Sequence, residues 1–318
     1  MITLVTGGAG FIGSAVVDRL LDAGHVVHVV DDFSSGSHAN LAQAKANHGE
    51  RLTIHELDIR DPALIDLIAQ VVPEVICHLA AQIDVRVSVA DPVRDATINV
   101  IGSLHVLEGA RKASTRKVVF ASSGGTIYGE PDASVLPVDE THPQRPVSPY
   151  GVAKKAVSDY LFAYQQLHGL DFTSLALANV YGPRQDPHGE AGVVAIFAGR
   201  LLDGQPCRIF GSGDQTRDFV FVDDVADAFV RATEPGRASG LVVNIGTGVE
   251  TSVNELYAAM AEAAGVDAEA IHEPPRPGEL ARNALATDLA EKELGWRPTT
   301  DLRAGAHATL DWFRAQRA

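Results

Sequence analysis

The 318-residue chain predicts a doubly wound α/β fold, a parallel sheet of Rossmann type joined to a smaller mixed α/β part. Three observations lead there. Short β-branched runs alternate with amphipathic helical stretches up to about residue 180. A glycine string links the first run to the first helical stretch. Beyond that region the alternation gives way to shorter elements broken by Gly and Pro, as at Gly182-Pro183, Gly211-Ser212-Gly213 and Pro274-Pro275.

Taken in order, Ile2–Thr6, Val26–Asp31, Leu52–Leu57, Val75–Leu79, Lys117–Ala121 and Phe172–Ala178 read as strands. The almost wholly apolar Val26–Val30 suits a strand covered on both faces. Phe11–Ala23, Pro62–Val72, Asp91–Ala113 and Pro149–His168 read as helices, and Gly24 stops the first. Residues 1–180 are expected to form the dinucleotide-binding part. Residues 181–318 form the second part, apart from a helix and strand at about 223–245 that return to the first.

Composition narrows the function. At 46% hydrophobic and 21% charged the chain is an ordinary globular one. Its net charge of −15 repels nucleic acid and anionic membranes, so neither is an expected partner. No apolar run approaches the roughly 18–20 residues of a membrane span. Met1 leads directly into a strand, and Cys77 and Cys207 read as free thiols, so a reducing cytoplasm is expected. The 12 histidines show no paired metal-ligand spacing, and no metal is expected.

Gly7-Gly8-Ala9-Gly10-Phe11-Ile12-Gly13 follows a strand and opens a helix. Gly7 permits a tight turn, Gly10 lets the backbone approach a pyrophosphate, and Gly13 lets helix pack on strand. Asp31 ends the second strand, where a carboxylate accepts the ribose hydroxyls of NAD and repels the 2′-phosphate of NADP. Asp58-Ile59 follows the third strand and is placed to meet adenine, or to cap the next helix. The small residues of Leu79-Ala80-Ala81-Gln82 let the backbone lie against the cofactor.

Tyr150 and Lys154 stand four apart in a predicted helix, which puts phenol and ammonium on one face. A nearby cation stabilises phenolate, so the pair is expected to make Tyr150 a base usable near neutral pH. Ser122-Ser123 ends the preceding strand and supplies candidate hydroxyls, Ser123 for catalysis.

With these residues in place the chain resembles the extended short-chain dehydrogenases/reductases, the NAD-dependent epimerase/dehydratase family, over nearly its whole length. The resemblance rests on Leu4–Gly13, His78–Gln82, Ser122–Gly129 and Ser148-Pro149-Tyr150. Asn179–Pro187 and Arg217–Asp224 narrow it to sugar-nucleotide enzymes, most of all epimerases of UDP-hexoses such as UDP-glucose and UDP-galactose. It implies NAD contacts at Phe11, Ile12, Asp32, Ser34, Ser35, Gly36, Asn99 and Ser122 as well. It implies that Asn179, Arg217 and Arg276 hold the UDP diphosphate and ribose, Glu279 the uridine ribose, and Gly192-Val193 the diphosphate through backbone N–H groups. It places Asn283 as a gate near the sugar C2 substituent, and it implies a homodimer through the helices around 91–113 and 149–168.

One departure stands out. Many such epimerases have a third hydroxyl residue where this chain has Gly124, which leaves Ser123 or Thr126 to replace it, or Tyr150 to act almost alone. Gly125 and Thr126 also stand where 4,6-dehydratases carry an Asp-Glu pair, which argues against dehydration. A UDP-glucuronate epimerase or decarboxylase remains an alternative, with Arg184 as the candidate carboxylate ligand. A non-enzymatic NAD sensor needs neither Tyr150–Lys154 nor the arginines.

Overall fold

The computed structural model describes residues 1–187, 192–267, 269–275 and 281–317. Its first half repeats one unit, a strand followed by a helix that packs back on the sheet. In chain order it contains β1 (Ile2–Thr6), α1 (Phe11–Asp22), β2 (Val26–Asp31), α2 (Ala42–His48), β3 (Leu52–Glu56), α3 (Ala63–Val71) and β4 (Val75–His78). There follow α4 (Val85–Ala90), α5 (Pro92–Ala96), α6 (Gly102–Ala113), β5 (Lys117–Ser123), α7 (Gly124–Ile127), α8 (Pro149–His168) and β6 (Asp171–Leu177). The remainder is β7 (Asn179–Tyr181), α9 (Val193–Leu202), β8 (Arg208–Phe210), β9 (Thr216–Arg217), β10 (Phe219–Phe221), α10 (Val222–Thr233) and β11 (Leu241–Ile245). It ends with β12 (Thr251–Ser252), α11 (Val253–Ala264), β13 (Ile271–Glu273), α12 (Asp288–Leu294) and α13 (Leu302–Ala315).

The described residues form a seven-stranded parallel sheet in the order β11-β6-β5-β4-β1-β2-β3. The order reverses between β1 and β4, and ligands of open α/β sheets bind at that switch point. Both sheet faces are apolar. Leu4, Val30, Ile76 and Phe120 pack on one side with Leu64, Ile68 and Val106 of α3 and α6. Val5, Val29, Cys77 and Val119 pack on the other with Val16 and Leu20 of α1 and Phe229 of α10. That second cluster runs on without a break into Tyr181, Phe197, Leu256, Trp296 and Leu310, so the C-terminal elements share the core of the sheet.

Two local departures have physical causes. The helix expected over 91–113 begins at Pro92, capped by the Asp91 carboxylate on Arg94 N–H, and passes through a π-helical stretch at Thr97–Ile101 before α6. Thr97, Ile98, Val100 and Ile101 are β-branched and crowd a regular turn, and such bulges gather at functional sites. The short helix α4 lies where the sequence analysis names no element, and Val85, Val87 and Val89 alternate as in a strand. Asp84 decides for helix by accepting the N–H groups of Arg86 and Val87.

Candidate active site

Gly7 turns the chain out of β1 with φ +68°, and a Cβ there would lie 2.7 Å from the backbone nitrogen of Ala80. The ends of β1 and β4 therefore touch only because residue 7 lacks a side chain. Gly13 faces the Gly7 carbonyl in the same way, which seats α1 on the turn. Beside them opens a cavity of about 650 Å³, within the range of ligand pockets.

Along its cofactor side the cavity is lined by Gly7, Gly10, Phe11, Ile12, Gly13, Asp31, Asp32, Ser34, Ser35, Asp58, Ile59, Leu79, Ala80, Ala81 and Gln82. Asp31 is buried and its two oxygens accept Ala9 N–H at 2.8 Å and Phe33 N–H at 2.9 Å. Burial nevertheless raises its pKa above the usual carboxylate range. Gly36 does not line the cavity but abuts the Asp31 carboxylate, which a Cβ would strike. Asp32 is engaged by the hydroxyl of Ser34 at 2.6 Å. Asp58 is held by Arg60 at 2.8 Å, and that hydrogen bond keeps its carboxyl below the usual range.

Asn99 is placed differently from the cofactor contact expected of it. It is not among the residues lining the cavity, and both ends of its amide are spent on the main chain of Gln82. Its neighbour Ile98 faces the cavity instead, together with Ile83, Val85 and Arg94, none of which the sequence reading named. Both residues lie in the π-helical stretch Thr97–Ile101, where the regular helical period does not tell which of them faces the cavity.

The reacting end is built by β5 and α8. Ser148 caps α8 by accepting Gly151 N–H at 3.2 Å, and Ser88 of α4 accepts the Tyr150 N–H at 3.2 Å. Tyr150 and Lys154 both line the cavity, with the ammonium 5.6 Å from the centre of the phenol ring. Lys154 is buried, donates to the Ala121 carbonyl at 2.8 Å, and lies 4.8 Å from the centre of the Phe120 ring. Burial pulls its pKa down to about 8. The expectation that Lys154 lowers the Tyr150 pKa to neutrality needs correction. Burial dominates and drives the phenol upward, and the lowering influence comes from Ser123.

Ser122, Ser123 and Thr126 all line the cavity, and the buried Ser122 Oγ has no hydrogen-bond partner. Gly124 does not line it. The space a side chain would need there is filled by Leu285, which is fully buried, so the missing hydroxyl is replaced by core packing.

The opposite wall comes from the C-terminal part: Asn179, Val180, Gln185, Gly192, Arg217 and Asn283. Buried Asp218 organises it, accepting from Thr247 N–H, Gly248 N–H and Leu285 N–H at 2.8, 3.1 and 3.2 Å. Those bonds fix Arg217 beside the cavity on one side and Asn283 on the other. Asn283 is 1% exposed and neither end of its amide has a partner. Val193, the first residue of α9, does not line the cavity, though Gly192 before it does. Arg276 and Glu279 lie outside the described residues. Arg184 is corrected as a candidate carboxylate ligand: its guanidinium binds Asp18 of α1 at 2.7 Å and is not part of the lining.

A glycine cradle at the switch point, a carboxylate at the end of β2 and a half-buried Tyr150 beside the buried Lys154 define a dinucleotide-dependent enzyme of the hydride-transferring class. The residues present fit NAD: the cradle leaves no room for a Cβ at Gly7 or Gly13, and Asp31 lines the cavity at the end of β2. Residues 3–246 match the model of the NAD dependent epimerase/dehydratase family, and the chain belongs to that family. It is 52% identical over 314 residues to a UDP-glucose 4-epimerase of Mycolicibacterium smegmatis, covering 99% of each chain. It also resembles the crystal structure of a UDP-glucose 4-epimerase with UDP-glucose from Thermotoga maritima, with TM-score 0.94, 44% identity and 100% of both chains covered. A UDP-glucose 4-epimerase from Thermus thermophilus in complex with NAD aligns with TM-score 0.90 and 42% identity over 99% of each chain.

Proposed function

We propose that the protein interconverts UDP-glucose and UDP-galactose by inverting the hexose at C4. One observation carries the reading: a single cavity brings Tyr150 and Lys154 together with Asn179 and Arg217 from the other half of the chain. The diphosphate needs fixed positive charge in a protein of net charge −15, and Arg217 supplies it at the cavity wall. Arg276 and Glu279 complete the UDP site by resemblance. Residues 1–180 with about 223–245 hold the cofactor, and the rest of 181–318 holds the nucleotide sugar.

Tyr150 takes the proton of the C4 hydroxyl as the C4–O bond becomes a carbonyl, and returns a proton when the alcohol re-forms. Ser123 orients that hydroxyl, and Lys154 carries the positive charge beside the phenol. Bound NAD, held by Gly7, Gly10, Gly13 and Asp31, would supply a reversible hydride acceptor for C4, so no net oxidation would occur. Inversion requires the 4-keto sugar to present its other face before the hydride returns, and Thr126, Gly125 and Gly192 are small residues in the cavity lining.

Rival readings fit less well. The described carboxylates lining the cavity are Asp31, Asp32 and Asp58, all on the cofactor side, so none stands by Ser123 to eliminate water as a dehydratase must. A uronate carboxylate loses its candidate partner to the Arg184–Asp18 pair. A sensor has no use for the Tyr150–Lys154 pair.

A homodimer through the helices around 91–113 and 149–168 is supported by the exposed Val93 of α5, Ile101 of the π-helical stretch, and Val152, Phe162 and Leu167 of α8; a monomer in sedimentation at micromolar concentration would overturn it. Cytoplasmic residence is supported by two buried free thiols, and among the described residues no helix is long and apolar enough to cross a membrane. The deciding assay gives the purified protein UDP-galactose with no added reductant. UDP-glucose should accumulate to a fixed ratio, and its absence from protein verified to hold NAD would overturn the reading.

A further inference from the structure

Two stretches distant in sequence bring Arg217 and Asn283 to the substrate wall of the cavity. Asp218 ties them from the buried side through Leu285 N–H. Glu250 ties them from the other side, and no step described above uses it. It stands immediately before β12, which pairs antiparallel with β9 so that Thr251 lies opposite Arg217 and Ser252 opposite Thr216. Thr216 and Arg217 are successive strand residues, so their side chains leave opposite faces. With Arg217 in the cavity lining, Thr216 is turned away from it. Arg282 likewise is absent from the lining, while the next residue, Asn283, belongs to it.

Glu250 joins those two outward residues. Its Oε2 accepts the Thr216 hydroxyl at 2.5 Å and Arg282 Nε at 2.7 Å, and its Oε1 accepts Arg282 Nη2. The arginine thus engages both carboxylate oxygens as a fork, a geometry that fixes orientation as well as supplying energy. The Arg282 hydrogen bonds hold the carboxyl below its usual range, so the clasp is charged at neutral pH. Two further bonds carry it inward. Thr216 N–H donates to the Ala281 carbonyl at 3.0 Å, and Arg217 Nη1 donates to the Thr216 carbonyl at 2.7 Å. The clasp adds little to folding stability, because the Glu250 and Arg282 side chains are 22% and 48% exposed. What it fixes is the relative placement of the two residues on its inner side.

We propose that Glu250 is a positioning residue: by clasping Thr216 to Arg282 it holds Arg217 and Asn283 in place in the cavity wall, and so sets the affinity for the diphosphate of the nucleotide sugar. This role rests on Arg217 being the diphosphate ligand, as the function proposed above requires. Proton and hydride transfer do not depend on it, because Ser123, Tyr150 and Lys154 stand on other elements, β5 and α8.

The test is calorimetric titration of UDP into the full-length protein loaded with NAD. Glu250→Gln keeps an acceptor for Thr216 and loses the fork, and the Kd for UDP should rise at least about fivefold, within the range for partners in one hydrogen-bond network. KM for UDP-galactose should rise with it while kcat stays within about twofold, the pattern of binding lost equally from ground and transition states. An unchanged Kd in a folded variant overturns the proposal, and so does a variant that sheds NAD along with UDP, since that is general loosening. Should Glu250→Gln fail to fold, Arg282→Gln removes the fork and leaves Glu250 to Thr216. It should weaken UDP as well, and an unchanged Kd overturns the proposal equally. The double variant should bind UDP no more weakly than the worse single one, because both changes break one clasp, and additive losses overturn the proposal. Wild type that binds UDP but interconverts no sugar would sink the epimerase function and leave the clasp standing. Wild type that binds no UDP would sink both.

Discussion

The ammonium of Lys154 lies 5.6 Å from the centre of the Tyr150 ring and is anchored on the Ala121 carbonyl at 2.8 Å, so one strand end fixes the spacing of the pair. Tyr150→Phe should lower kcat by at least about a hundredfold, the scale of losing a general base. Bound NAD should be retained, since the glycine cradle and Asp31 are untouched. Near-normal turnover in this variant would remove Tyr150 from the mechanism.

Cofactor choice should follow Asp31. Its carboxylate is already oriented by Ala9 and Phe33 N–H groups, so it meets a ribose without rearrangement and meets a 2′-phosphate with like charge. Cofactor released by denaturing the purified protein should be NAD. Reconstitution should favour NAD over NADP by at least about tenfold, the scale of a hydrogen bond to a charged group. Recovery of NADP from the wild-type protein would contradict this role.

Sugar choice should respond at residue 283. The Asn283 amide is buried at the cavity wall between the Asp218-anchored segments, with both ends unpaired. UDP-glucose and UDP-galactose should be the main substrates, with weak activity on the N-acetylated pair. Asn283→Tyr adds bulk there and should depress the N-acetyl rate relative to the plain hexose by at least about tenfold, as small steric changes in a pocket do. Equal loss on both pairs would mean that residue 283 is not the gate.

Acid should destabilise the β2–β3 edge through two histidines. His28 Nδ1 lies 3.0 Å from His55 Nε2, and their rings stack with centroids 5.3 Å apart. Burial, and for His28 also the charge of His55, lowers both below the ordinary histidine value. A group with a depressed folded pKa contributes stability that is present above its unfolded value, about 6.5, and is lost as pH falls through the folded one. The fall in Tm between about pH 7.5 and about pH 5 should therefore be smaller in His55→Gln than in wild type. An equal fall in both proteins would show that the pair contributes nothing to acid sensitivity.

Much of this site was legible in the sequence because its demands are local. A tight turn with close backbone approach needs Gly7 and Gly13, a ribose carboxylate must sit where β2 ends, and a four-residue helical spacing aligns Tyr150 with Lys154. The expected strands match the observed ones within a residue or two for the same reason, since β-branched runs bounded by turns leave little choice. Composition likewise set the expectation that nucleic acid is not a partner, because a net charge of −15 repels it.

Other features became decidable only when distant segments met. Arg184 is unavailable because it meets Asp18, 166 positions earlier in the chain. Gly124 lacks a side chain because Leu285 arrives from the far end of the molecule to fill its space. Ile98 lines the cavity where Asn99 does not, and the Tyr150 phenol is raised because burial outweighs the hydrogen bond from Ser123. Each is set by packing and desolvation, which depend on what the rest of the fold brings alongside, and no local pattern of residues encodes that.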